Sequence, residues 1–265
     1  MSIRHRYRRF EPPHLLSQPL DHFFSGQVGV DFERLRKCFP DTWDVYVLGG
    51  IIRNLLLNEL RGIELENGDV DVVINGAATT GDLQSKIQDF IVRQNEFGGA
   101  KCRLSYEGLL FDVWRLDDHV SLSITPGPHT LLHLLQHNVI DVDAVVWEPK
   151  TDLLHDYGCI RAIRRGRIEL IKDGIACDFA PAQVAHILIV AAKTGFELSQ
   201  EAANFIRDVC SDNQKQTEVA KVLRRKAPDI VSPLEKLLPK LLEGEARSWT
   251  SLTVYQNLPI NRKSF

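Results

Sequence analysis

Asp69 and Asp71 flank Val70 at the mouth of an apolar run that continues to Ile74. Residues two apart on a strand project to one face, so the two carboxylates would stand side by side, a geometry suited to a divalent metal. An isolated Asp-x-Asp is more often a solvent-facing strand edge. Two further features favour chemistry. Asp112 sits inside a second apolar run, Phe111-Asp112-Val113-Trp114, where a carboxylate is costly unless a cation meets it. Upstream, Gly49-Gly50 parts the apolar Val45 to Leu48 from a Leu-rich segment, and the N–H groups of such a helix start can hold an anion. Three acids beside a phosphate cradle are the parts of two-metal nucleotidyl transfer. One Mg²⁺ would activate an attacking oxygen, and the other would bridge the triphosphate and stabilise the leaving pyrophosphate. Asp69, Asp71 and Asp112 are then the expected catalytic acids and metal ligands, Gly49 and Gly50 the cradle, and Arg53 and Arg115 the phosphate contacts.

The elements that must position these residues can be read from periodicity. Val45 to Leu48 predicts a strand. Ile52, Leu55, Leu56 and Leu60 predict the helix after the glycine turn, and Val70 to Ile74 a second strand. A short helix over residues 30–39 precedes them, ended by Pro40. Leu83, Ile87, Phe90 and Ile91 predict an amphipathic helix over residues 83–97, closed by Gly98-Gly99. Residues 100–116 read as two strands joined by a turn at Glu107-Gly108. Pro126-Gly127-Pro128 breaks the chain, residues 129–138 read as a short helix, and residues 142–148 as a further strand. From about Ala180 the pattern becomes helical, through residues 182–196, 199–210, 217–227 and 232–242. The expected fold is α+β, a mixed sheet flanked by helices, followed by a helical domain. Its expected parts are a basic tail over 1–25, a head over 26–148 and a mainly helical part over 149–265.

Gly49-Gly50-Ile51-Ile52-Arg53-Asn54 followed by Asp69-Val70-Asp71 resembles the head motif of class II CCA-adding enzymes and bacterial poly(A) polymerases, in the DNA polymerase beta nucleotidyltransferase superfamily. Phe111-Asp112-Val113-Trp114 falls where that family has its third acidic strand. Asp143-Ala144-Val145-Val146, then Asp156-Tyr157-Gly158, an arginine-rich strand and a helix beginning near Pro181, follow the family's order from head to neck. The likeness spans roughly residues 43 to 198. It implies an NTP substrate such as ATP, two Mg²⁺ ions and an RNA or tRNA 3′ end as acceptor, with the helical part as a neck. Departures are visible as well: Asn54 stands where the family has Asp, and Phe179 to Gln183 lacks the acid, Asp and Arg that begin its base-reading helix. His186 replaces a later arginine. The acceptor therefore stays open, with nucleotidylation of a small molecule or protein, or a catalytically silent nucleotide-binding role, as alternatives.

Composition narrows the setting. With 265 residues and 44% hydrophobic content the chain can bury a substantial core, and a net charge of −3 gives no overall basic footprint for nucleic acid. Five scattered cysteines without CxxC spacing suit a reducing cytoplasm better than a disulfide framework or zinc ribbon. No apolar stretch has the length of a membrane span or the character of a signal peptide, so a soluble intracellular protein is expected. His129, His133 and His137 share a helical face, read as partly exposed rather than as a metal site. The basic groups Arg161, Arg164, Arg165 and Arg167, and Lys221, Arg224, Arg225 and Lys226, read equally as an RNA path or as solvated faces. Aromatics for base stacking are sparse near both.

Overall fold

The computed structural model describes residues 7–10, 20, 23, 24, 26–66, 68–94, 98–106, 108–123, 129–171 and 177–230. They divide into two compact units. One holds the described residues up to His137 together with Asp143–Ile160, and the other holds Asn138–Val142 and the chain from Arg161 onward.

The first unit is built on strands β1 (Arg8–Phe10), β2 (Asp44–Leu48), β3 (Val70–Asn75), β4 (Ile91–Gln94), β5 (Ala100–Arg103), β6 (Leu110–Arg115), β7 (Val145–Glu148) and β8 (Leu153–Asp156). Its helices are α1 (Gln27–Arg36), α2 (Gly50–Arg61), α3 (Thr80–Ile87), α4 (Val120–Ser123) and α5 (Leu131–Gln136). The strands form one eight-stranded sheet in the order β1-β8-β7-β2-β3-β6-β5-β4. Neighbours run antiparallel except β3 and β6, which pair in parallel with Asp71 level with Asp112. A parallel pair needs a long crossover, here carrying α3, β4 and β5, and that crossover brings two acids distant in sequence to one height of the sheet. Val47, Val72, Phe111 and Val145 are fully buried in the sheet. Phe32 of α1 lies against Phe111 and Trp147, covering the side of the sheet to which those rings point.

Local sequence explains the boundaries of α2. Gly49 holds φ 53° and ψ −112°, a backbone conformation that side-chain-bearing residues rarely adopt, and it turns the chain from β2 into the helix. At the far end Gly62 is left-handed, its N–H donating to the Asn58 carbonyl and that of Ile63 to Leu57, which closes the last turn. Thr79 caps α3, its hydroxyl accepting from the Asp82 N–H while the Asp82 carboxylate accepts from the Thr79 N–H.

Three expectations are corrected. The helix expected over residues 83–97 ends at Ile87. A single 3₁₀ turn follows, and Ile91–Gln94 is then a strand paired with β5. Ile91 and Val92 are β-branched, and the pairing that β5 offers outweighs the helical spacing of the apolar residues. Within the expected basic tail, Arg8–Phe10 extends the sheet by pairing with β8. The Tyr7 hydroxyl meets His155 Nδ1 at 2.7 Å, and His155 Nε2 meets Glu148 at 3.0 Å. The expected arginine-rich strand is largely a helix, α6 (Cys159–Arg165), followed by the short β9 (Arg167–Ile168). The Pro126-Gly127-Pro128 break, the helix expected over 232–242 and Glu107 lie outside the described residues.

The second unit contains α7 (Ala180–Thr194), β10 (Glu197–Leu198), α8 (Gln200–Cys210) and α9 (Asn213–Lys226), with β9 and β10 paired in parallel. α7 is apolar on most sides and packs against α8 and α9, which explains why so many of its residues are buried. Ser199 and Asp212 cap α8 and α9 through their side chains. No described helix is long and apolar enough to cross a membrane. Cys38, Cys102, Cys159 and Cys210 are free thiols.

Candidate active site

The register of the sheet assembles the site. Asp71 on β3 is level with Asp112 on β6, and Asp112 is level with Lys101 on β5. Paired residues share a face, so the three side chains form a row, with Asp69 entering from the residue before β3. The sequence-predicted acids Asp69, Asp71 and Asp112 are thus brought together. The carboxylates do not stand alone, because Lys101 Nζ hydrogen-bonds Asp69 Oδ2 and lies 3.1 Å from Asp112 Oδ2. Asp112 Oδ1 is buried without a hydrogen-bond partner among the described residues.

The electrostatics follow from that crowding. Burial pushes the Asp71 carboxyl up to about 7, and the neighbouring charges of Asp112 and Asp69 push the same way while Lys101 opposes them. Burial works against the Lys101 ammonium, but its hydrogen bonds to Asp69 and Asp112 outweigh that and hold it above the ordinary lysine value. An orphaned Asp112 oxygen beside a carboxyl that burial and like charge leave partly protonated is a donor set with room for one added cation. Lys101 already occupies one oxygen of each flanking acid. Among the described residues no group of three or more His, Cys, Asp or Glu is arranged to hold a metal by itself.

Gly49 and Gly50 sit at the start of α2 as expected. The Gly49 N–H donates to the Val145 carbonyl at 3.2 Å and is therefore committed to the sheet. The first intrahelical bond is made by the Arg53 N–H to the Gly49 carbonyl at 2.8 Å, so the N–H groups of Gly50, Ile51 and Ile52 precede it at the positive end of the helix. Arg53 is held in place by Asp143, which accepts from Nη1, and by Asn54 Oδ1 at 3.1 Å from Nε. Its other terminal nitrogen lies 3.7 Å from where a Cβ on Gly50 would be, which keeps the helix start and the guanidinium adjacent.

Arg115 is placed elsewhere. Three residues beyond Asp112 on the same strand, it leaves from the opposite side of the pleat. There its guanidinium grips both oxygens of Asp118, at 2.7 and 2.8 Å, and Asp117 at 2.5 Å. The expected phosphate contact from this residue is corrected accordingly. Lys101 and Asp143 were not among the expected site residues. A lysine between Ala100 and Cys102 in a short strand was the available signal for the first, whereas the Asp143–Arg53 pairing joins a helix and a 3₁₀ turn 90 residues apart and carries none. His129 lies 3.2 Å from Asp117, and the His133 and His137 rings stack at 6.1 Å, within α5 and its C-terminal end.

The mixed sheet, with a glycine turn entering a helix and acids on its parallel pair, is a nucleotidyltransferase-like fold. Among solved structures it is similar to CCA-adding enzymes. A CCA-adding enzyme in complex with ATP shares 18% identity at a TM-score of 0.59, covering 89% of this chain and 56% of that one. The Thermotoga maritima CCA-adding enzyme complexed with tRNA shares 19% at 0.55, covering 88% of this chain and 55% of the other. The Bacillus stearothermophilus enzyme in complex with CTP shares 18% at 0.53, covering 77% and 48%. The chain spans about half the length of these proteins, and the likeness is one of fold. No protein-family model and no curated protein matches the sequence.

Proposed function

We propose that the chain is a nucleotidyltransferase of the class II CCA-adding and poly(A) polymerase type, moving a nucleoside monophosphate from an NTP to an acceptor hydroxyl with release of pyrophosphate. The observation that carries this reading is the alignment of Asp71 with Asp112 across the parallel pair, with Asp69 alongside. Mg²⁺ held by Asp69, Asp71 and Asp112 would neutralise phosphate charge and lower the pKa of the attacking hydroxyl. The N-terminal amides of α2 would receive the triphosphate, and Arg53, fixed by Asp143, would steady it. An RNA or tRNA 3′ end is the acceptor the fold likeness favours. In α7, Ala180 and Gln183 supply neither the acid nor the arginine that the resemblance leads one to expect for base choice.

The test is label transfer from α-labelled NTP in Mg²⁺, screened across tRNA, oligoadenylate and small-molecule acceptors. Asp71→Asn is expected to abolish transfer while leaving circular dichroism unchanged, and unaltered transfer would refute the assignment. Lys101 favours a second reading, a silent nucleotide-binding protein, because its ammonium already engages two of the acids. Tight binding of NTP by calorimetry, without transfer to any acceptor, would select it.

A further inference from the structure

The nucleotidyltransferase reading leaves a buried lysine unexplained. Lys101 lies in β5 between Ala100 and Cys102, both buried, and its side chain is only 9% exposed. A lysine on such a strand usually extends its ammonium to water, since burying the charge is costly. Here the stem instead crosses Asp112 on the adjacent strand and reaches Asp69, ahead of the strand beyond it. One ammonium thereby bridges one oxygen of Asp112 on β6 and one of Asp69 just before β3, the place and ligand sharing that a divalent ion would have. Asp71 and Asp112 Oδ1, level with each other on the parallel pair, are left for one further cation. Charge points the same way: with all three acids ionised, three carboxylates and one ammonium leave a deficit that a single divalent ion closes.

We propose that Lys101 is a resident cation of the carboxylate cluster, so that the nucleotide-free site takes one divalent ion rather than two. This rests on the reading of Asp69, Asp71 and Asp112 as metal ligands. It makes Lys101 a charge-balancing residue, acting through the acids, and sets metal stoichiometry by a side chain of the protein itself.

Electron paramagnetic resonance titration of Mn²⁺ into the full chain tests this without any turnover. Wild type is expected to bind one ion. Lys101→Met, which keeps the length but not the charge or the donors, is expected to bind a second ion, or the first about tenfold more tightly. Lys101→Gln serves the same comparison should the methionine variant not fold. Two ions in wild type, or counts and affinities unchanged in a folded Lys101 variant, would overturn the proposal. Asp71→Asn separates this from the underlying reading. If it loses the wild-type ion while the Lys101 variants change nothing, only the role of Lys101 fails. If Mn²⁺ binding survives Asp71→Asn intact, the acids are not the metal site and both fail.

Discussion

Asp71 has an ordinary carboxyl value of 3.8 and about 7 in the folded chain, because burial and the charges of Asp112 and Asp69 disfavour its ionisation. A folded value above the unfolded one means that the native state binds the proton more tightly. The stability this gives is complete below about pH 4 and is lost as pH rises through about 7. With divalent ions chelated, wild type should therefore weaken across that window more than Asp71→Asn, which has no charge to impose. At pH 8 the variant should be more stable by up to about 4 kcal/mol, the gap closing toward pH 4. Denaturant titrations at several pH values measure this, and a gap independent of pH would contradict it. The acids themselves were legible, since two-residue spacing and an acid in an apolar run are local signals. That Lys101 answers them was not, because it depends on which strand lies beside β6.

At the scale of the element, the turn into α2 is the feature whose form follows most directly from its residues. Gly49 has open space where a Cβ would go, so the cost of a side chain there is conformational and not steric. Gly49→Ala should destabilise the first unit by about 1–3 kcal/mol through its φ of 53°, visible as a fall of several degrees in melting temperature. An unchanged melting temperature would show that the turn can adopt another form. β4 marks the opposite case. Its apolar spacing suits a helix continued from α3, yet pairing with β5 makes it a strand, since tertiary hydrogen bonds outweigh differences of a few tenths of a kcal/mol per residue in propensity. The helices expected after Gly49-Gly50 and over residues 199–210 form where the sequence places them, as α2 and α8.

For the molecule as a whole, the edge of the sheet is completed by residues far from it in sequence. β1 pairs with β8, and Tyr7 bonds His155 across 148 positions. Deletion of residues 1–10 should leave β8 as an unpaired edge and the buried His155 without its tyrosine, lowering stability by about 1–3 kcal/mol and promoting self-association. Thermal unfolding with light scattering measures both, and a variant as stable and monodisperse as wild type would count against this role. The sequence by itself determined the acids at two-residue spacing, the glycine turn, most of the strands and the helices α2, α7, α8 and α9, because periodicity, capping and turn chemistry act over a few neighbours. The tertiary structure alone decided the parallel alignment of Asp71 with Asp112, the lysine between the acids and the pairing of Arg53 with Asp143. Strand order and register set those contacts, and they depend on long-range pairing whose partners no local stretch of residues specifies.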